Sequence, residues 1–357
     1  MNNQTPIKSG RRRGGQLNVK KVTLAHGGGG KAMRDLIDDV FISAFDNPEI
    51  GDMEDQARLT SDALLAPGAQ LAFTTDSFVV SPIEFPGGDI GKISVCGTVN
   101  DLAVGGAKPL WLSAAVIIEE GTEVELLRKI ALSMRAAADE AGVHIVTGDT
   151  KVVERGSADK IFITTSGIGV IPPNRNLNAG RVQVGDVALV NGVLGDHGAA
   201  ILTARGDMAL ETEIESDCAS LNELMEAVIK AAPDVRCARD ATRGGLASAL
   251  NEIAEAAGVG IDIKEADLPL RTEVKGVCEI LGLDPLYLAN EGTLVLFVPP
   301  AQVSAALAAM RALEVGKNAV AIGTATPENP GTVVMETVFG GGRIVDMLVG
   351  EQLPRIC

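Results

Sequence analysis

The sequence predicts two α+β domains in series. Three observations lead there. A chain of 357 residues is long enough for two domains rather than one. Both halves mix helical and strand patterns irregularly instead of alternating them strictly. Residues 171–180 (IPPNRNLNAG) form a Pro-, Asn- and Gly-rich break between the halves. The reading is a basic leader over 1–21, an N-terminal domain over 22–170, a C-terminal domain over 171–348 and a mobile tail over 349–357 that ends in Cys357.

The leader holds Lys8, Arg11, Arg12, Arg13, Lys20 and Lys21, no acid and no apolar core of a secretory signal. It reads as a flexible or appended extension outside the fold. In the N-terminal domain, Met33, Leu36, Ile37, Val40 and Phe41 recur at helical spacing over 31–46. A strand is expected over 70–80, a short helix over 91–104 and a buried strand over 110–118. The clearest helix spans 122–141. Thr122 and Glu125 suggest a capping box, Leu127, Ile130, Met134, Ala138 and Ala141 make its apolar stripe, and Gly142 marks its stop. Strands follow at 143–147 and 160–170. The second half reads as strands at 186–191, 260–263, 292–298, 319–323, 332–338 and 343–348, with helices at 196–205, 219–231, 243–257, 271–281 and 301–313.

Composition narrows the function. Hydrophobic residues are 46% and charged residues 22%, ordinary for a globular chain. No apolar run reaches the roughly 20 residues of a membrane span; the longest, from Leu294 to Met310, is broken by Pro299 and Pro300. Lys plus Arg is 31 against 47 for Asp plus Glu, a net charge of −16. Without the six leader cations the remainder holds 25 basic against 47 acidic residues, or −22. Such a surface disfavours nucleic acid, and a nucleotide would need a divalent cation. Five cysteines, none in a CxxC, argue against a disulfide framework and fit the cytoplasm. Three histidines without metal-ligand spacing argue against zinc.

Four features could carry chemistry. AHGGGGK, residues 25–31, precedes a helix; it is either a backbone cradle for phosphate or a flexible turn, and it lacks the Ser or Thr of a Walker loop. Asp76, Asn100, Asp101, Asp149 and Asp240 stand at the ends of apolar runs. Singly they suit turns and caps; as a set they suit Mg²⁺ with phosphate. Thr150 and Lys151 follow Asp149, and Lys151 could neutralise a phosphate. Glu291, in Asn-Glu-Gly before a strand, is a general base, a second metal ligand or a strand-start turn residue. Nearby His197, in GDHG, suits a simple capping turn. Cys357 is the last residue. It is a chance cysteine or a thiol on a flexible arm, and it is not placed for prenylation.

Taken together, AHGGGGKAM, FTTDSFVVSPIEFPGGDIGK, CGTVNDLAVGGAKP, IVTGDTKVV, RDATRGGL, ANEGTLV and the terminal PRIC resemble the HypE family of hydrogenase maturation proteins. The resemblance runs from about residue 22 to Cys357. The nucleotide motifs alone place the chain only in the wider aminoimidazole ribonucleotide synthetase-like ATP-binding superfamily. The family loop usually reads HGSGG; HGGGG here keeps the backbone donors and loses one hydroxyl.

The resemblance implies a two-domain aminoimidazole ribonucleotide synthetase-like α+β fold with a flexible C-terminal tail. It implies a homodimer formed by sheet pairing of the N-terminal domains, with ATP near that interface. A carbamoyltransferase partner, HypF, would carbamoylate Cys357. ATP would phosphorylate the carbamoyl oxygen, and elimination would leave a thiocyanate whose cyanide passes to iron on the HypC–HypD complex. Carried over by motif, Mg²⁺ would sit on Asp76, Asp101, Asp149 and Asp240. ATP would be held by Gly27, Gly28, Gly29, Gly30, Asp76, Asn100, Asp149, Thr150 and Lys151. The base would be Glu291 first, Asp101 second, His26 third. Two other readings stay open. A small-molecule ATP enzyme of the same superfamily would leave the tail unexplained, and selenophosphate synthesis lacks a Cys beside the glycine loop. A non-catalytic carrier would turn over no ATP.

Overall fold

A computed structural model describes residues 17, 19–28, 30–47, 50, 57, 59, 62–206, 213–348, 353 and 355–357. Most of the basic leader, Gly29 of the glycine loop and tail residues 349–352 and 354 lie outside the described residues. The helical stripe at 31–46 folds as helix α1 (Lys31–Leu36), a π-helical stretch (Ile37–Ile42) and α2 (Ser43–Phe45), and it buries Leu36, Val40 and Phe41. Strand β1 (Gln70–Phe78) follows, then a two-strand ribbon of β2 (Glu84–Phe85) and β3 (Gly88–Asp89). After it come α3 (Ile90–Val104), β4 (Lys108–Glu119), α4 (Val124–Ala141), β5 (His144–Val153) and β6 (Ile161–Ile171).

These strands form a four-stranded sheet in the order β1-β6-β4-β5. Only β4 and β5 are parallel, and α4 makes the crossover between them, as parallel neighbours require. One face of α4 buries Leu127, Ile130, Met134 and Ala138, and Gly142 ends the helix at φ 68°, the left-handed stop its sequence predicts. The expected capping box does not form. Glu123 is the N-cap, and the Thr122 hydroxyl donates instead to the Lys160 carbonyl at 3.3 Å.

Helix α3 is buried nearly all round, which is why its sequence has apolar residues on every face. It lies between the sheet, α4 and the C-terminal domain. Small residues permit this: a Cβ on Gly97 would stand 2.9 Å from the Phe78 ring. The helix therefore carries Asn100 and Asp101 into the seam between the two halves.

The C-terminal half runs β7 (Val187–Val190), α5 (Asp196–Ala204), α6 (Asn222–Ala231), β8 (Cys237–Asp240), α7 (Gly245–Ala257), β9 (Gly260–Lys264), α8 (Thr272–Leu281), β10 (Leu294–Val298), α9 (Val303–Arg311), β11 (Val320–Thr326), β12 (Val333–Glu336) and β13 (Gly342–Val345). Its seven-stranded sheet has the order β13-β12-β9-β11-β7-β10-β8. Strand β10 is central enough to be fully buried along LVLFV, and its partner β8 ends at Asp240, opposite Leu294. That pairing brings Asp240 beside the loop that carries Glu291. Among the described residues no helix is long and apolar enough to cross a membrane.

The described part of the tail makes defined contacts. Ile356 is 6% exposed and joins the N-terminal core, with Leu353 packed against it. The absence of periodicity at 349–357 suggested a tail without partners; its contacts come from elements more than a hundred residues away, which periodicity does not register.

Candidate active site

Glu291 is 2% exposed and is held by the residues around it rather than by its own strand. The Asp217 carboxylate accepts the amides of Glu291 at 2.9 Å and Gly292 at 3.0 Å, and the Thr293 hydroxyl at 2.9 Å. Asn290, fully buried, accepts from the Gly195 amide at 2.7 Å and donates to the Ala241 carbonyl at 2.9 Å. The loop is thus a rigid mount for one carboxylate. The Cys357 thiol stands close enough to that carboxylate for the two to shift each other's proton affinity, while Oε1 is buried without a partner. Burial, then the Asp217 and Asp240 charges, hold Glu291 well above its ordinary value. Burial and the Glu291 charge likewise push the Cys357 thiol up. A carboxyl group with raised proton affinity beside a terminal thiol can, in its ionised form, take a proton from whatever group that sulfur carries.

Asp76 on β1, Asp101 on α3 and Asp240 at the end of β8 converge beside this pair. Burial, opposed by a hydrogen bond from the Thr74 hydroxyl at 2.9 Å and reinforced by the Asp76 charge, raises Asp101. Burial and the Asp101 charge push Asp240 up to about 6. Arg243, just beyond Asp240, pairs with Asp76 at 3.1 Å; facing the Cys357 sulfur and that carboxylate keeps its guanidinium above its ordinary value. A cavity of about 440 Å³ opens here, lined by Ser77, Arg243, Ser248, Tyr287 and Cys357 among others. Among the described residues no three ligand side chains are close enough to bind a metal unaided. Three mutually repelling carboxylates that share one region suit a Mg²⁺ that completes its shell with phosphate oxygens.

Of the other candidate residues, Asn100 adjoins the Glu291 loop, and the rest lie apart from it. Asp149 was read as following its strand, but β5 continues through it to Val153. Asp76 pairs across β6 and β4 in the row Asp76–Thr165–Ala114–Gly148. Asp149 is one residue further, so it projects from the opposite face, three strands away. Within one chain, three of the four aspartates expected to hold magnesium therefore come together, and Asp149 stands apart with exposed Lys151. Thr150 between them is buried. The glycine loop abuts this strand: a Cβ on Gly27 would meet Val152 at 2.8 Å. Gly28 closes a tight turn onto the Ala25 carbonyl at 3.4 Å, and Gly30 caps α1. His26 is 5% exposed, and its Nδ1 accepts the Thr23 amide at 3.1 Å, so it serves the turn rather than an open cleft. Asn100 is also spent on protein: its amide donates to the Ala219 carbonyl at 3.0 Å and accepts the Leu221 amide at 2.7 Å, which ties α3 to the second domain.

Sequence reasoning missed Asp217, Arg243 and the true position of His197. Arg243 lay inside the quoted RDATRGGL and could have been nominated as the cation beside three acids. Asp217 had no local signal. The His197 ring is fully buried and bonded to the tail, not to the turn at the start of α5.

Comparison with known proteins accords with this layout. Residues 54–171 match the AIR synthase related protein N-terminal domain, and residues 183–336 match the corresponding C-terminal domain. Over 341 residues the chain is 70% identical to the carbamoyl dehydratase HypE of Rhodobacter capsulatus, covering 96% of this chain and 99% of that one. A crystal structure of the hydrogenase maturation protein HypE in complex with ATP superposes with a TM-score of 0.88 at 46% identity, over 94% of this chain and 99% of that one. A chain from a HypE–HypF complex superposes with a TM-score of 0.76 at 49% identity, over 88% and 99%. The two-domain aminoimidazole ribonucleotide synthetase-like fold expected from the sequence is thus present, and the chain belongs to the HypE family of hydrogenase maturation carbamoyl dehydratases.

Proposed function

We propose that the protein dehydrates an S-carbamoyl group on its own Cys357 to a thiocyanate, with ATP consumed. The observation that carries this reading is the Cys357 thiol facing a buried Glu291 carboxylate beside three converging aspartates. The carbamoyl group, S–C(=O)–NH₂, would come from the HypF partner. Its oxygen is a poor leaving group, and attack on the γ-phosphate of ATP turns it into a phosphate ester while ADP leaves. One proton departs from nitrogen as that ester forms. Loss of the second proton with cleavage of the C–O bond gives S–C≡N and phosphate.

Glu291, ionised, takes the first proton, hands it on to solvent or to the departing phosphate, and is then free to take the second; its buried position beside Cys357 and its raised proton affinity suit it to that work. Asp101 is the second choice. Mg²⁺ on Asp76, Asp101 and Asp240 would spread charge on the phosphates. Arg243 neutralises charge beside the sulfur.

Asp149 and Lys151, on this reading the phosphate-binding half of the site, project from the other side of the sheet, while Thr150 between them is buried. Sheet pairing between two copies would bring that half into play. The outer face offers Leu71 at 62% and Phe73 at 69% exposure for such a homodimer. Cyanide would pass to the HypC–HypD complex, and the free cysteines suit the reducing cytoplasm. The arm that carries Cys357 would leave its docked position to meet HypF and the iron acceptor.

The test is mass spectrometry of the C-terminal peptide after incubation with HypF, carbamoyl phosphate and Mg-ATP. A carbamoyl adduct on Cys357 that loses one water only with ATP is the expected result. An unmodified Cys357 with ATP spent on a soluble metabolite would overturn the reading, and an adduct that never dehydrates would reduce the protein to a carrier.

A further inference from the structure

His197 has no part in the chemistry proposed above, yet it is fully buried and hydrogen-bonded at both ring nitrogens. Nδ1 lies 2.8 Å from the Ser216 hydroxyl, and Nε2 lies 2.8 Å from the carbonyl oxygen of Ile356, the residue before Cys357. The Ser216 oxygen already accepts the Cys218 amide at 3.1 Å, so its proton is free to point at Nδ1. The carbonyl of Ile356 can only accept. The ring is therefore the neutral tautomer with its proton on Nε2, donated to the tail. Burial, which lowers the ring to about 4, keeps it neutral at physiological pH.

About two turns further along, at the C-cap of α5, Arg205 adds a second grip. Its Nη2 donates to the Arg355 carbonyl at 2.9 Å, and its Nε donates to the Ser81 carbonyl at 2.9 Å. The Ser81 amide donates to the same Arg355 oxygen at 3.1 Å. Arg355 itself has φ 55°, a left-handed conformation that a non-glycine residue keeps only when its surroundings hold it. The two peptide carbonyls before Cys357 are thus both engaged, and the Ile356 side chain fills the core beneath them.

We propose that α5 is the latch of the C-terminal arm, with His197 a positioning residue whose Nε2–H bond to the Ile356 carbonyl holds the Cys357 sulfur against Glu291. The proposal rests on the dehydratase reading for its consequence but not for its geometry. An arm that must visit a carbamoylating partner and then return needs a holding contact that is specific and breakable. A hydrogen bond from a neutral imidazole to a backbone carbonyl meets that need, because it reads the position of the arm without depending on the group on sulfur.

The test uses the full-length protein. Cys96, Cys218, Cys237 and Cys278 are buried, so a bulky maleimide should label Cys357 selectively in the folded state. His197→Ala should speed that labelling roughly fivefold or more, the effect of losing one hydrogen bond. His197→Gln, whose amide can donate to the same carbonyl, should restore most of the protection. The same variants, once carbamoylated by the partner, should dehydrate the adduct more slowly for Ala than for Gln, while the carbamoylation rate stays at or above wild type. A merely structural defect would slow both steps. Unchanged labelling of a folded His197→Ala, or equal labelling of the Ala and Gln variants, would overturn the latch whether or not the protein is a dehydratase. Faster labelling and normal dehydration together would overturn its positioning role.

Discussion

The docked terminus and the β5 edge of the N-terminal sheet differ in how their residues are held. Around Cys357 the carboxylates are buried or half-buried, Arg243 is exposed, and the groups are fixed by contacts from distant parts of the chain: Asp217 holds the Glu291 loop, Arg243 holds Asp76, and α5 holds the last peptides. At β5, Asp149 and Lys151 are exposed. In the proposed function the first region would serve as a preorganised acid–base site in low dielectric. The second is a charged surface that would gain its function when something is laid on it. On that reading one chain holds two half-sites with opposite requirements, dryness for proton transfer and access for nucleotide. The outer face of the sheet is where a second copy would join them.

The sharpest way to break the comparison is to remove the base. Glu291→Gln keeps shape and burial and should cut dehydration by about 10²–10⁴-fold, as loss of general base catalysis does, while carbamoyl-Cys357 still accumulates. Single-turnover quantification of the adduct checks it. Next in size is Phe73→Asp on the exposed sheet face. It should convert the dimer to monomer in sedimentation and reduce dehydration in proportion, with the isolated fold intact by circular dichroism. A dimer that survives would move the interface elsewhere.

Asp217→Asn sharpens the account of the rigid mount. The substitution keeps one acceptor oxygen and replaces the other with an NH₂ that faces the donors on that side, and it should cost about 1–3 kcal/mol of stability by denaturant titration. It also removes a charge that raises Glu291, so the acid limb of the dehydration pH profile should move to lower pH.

The smallest effect is on stability against pH. Glu291 in the folded state binds its proton above the ordinary value of 4.5, so its contribution is complete below that value and is lost as pH rises through the raised one. Asp240 behaves in the same sense, losing its contribution as pH rises through about 6. Glu291→Gln should therefore leave the melting temperature nearly unchanged at pH 4 and raise it by a few degrees at pH 8. A gain that shrinks with rising pH would contradict the burial of this charge.

Much of the fold was legible because it rests on local pattern. The stripe and Gly142 placed α4, and the continuous apolar run LVLFV placed β10. Strand β8 was not legible: Cys237–Asp240 is too short for a period and pairs only through β10. Glu291 and Cys357 were legible through the motifs that carry the family resemblance, ANEGTLV and the terminal PRIC; the residues alone left each with a bland alternative. The site was not legible where geometry decides. Whether Asp149 joins Asp76 depends on strand parity across four strands, and a register shift between Leu112 and Ser113 in β4 lies on the way. Asp217 and His197 act across 74 and 159 residues of chain, and no spacing rule reaches that far.

The most direct test of the divided site mixes two inactive homodimers, Glu291→Gln and Lys151→Ala, allows subunits to exchange, and measures dehydration of carbamoylated Cys357. If each site draws Glu291 from one protomer and Lys151 from the other, random exchange leaves one intact site in each mixed dimer, and activity should return to about a quarter of wild type. If both residues serve the same site within one chain, each mixed dimer holds only singly damaged sites. The mixture would then stay inactive, contradicting the assembly of the site across two copies.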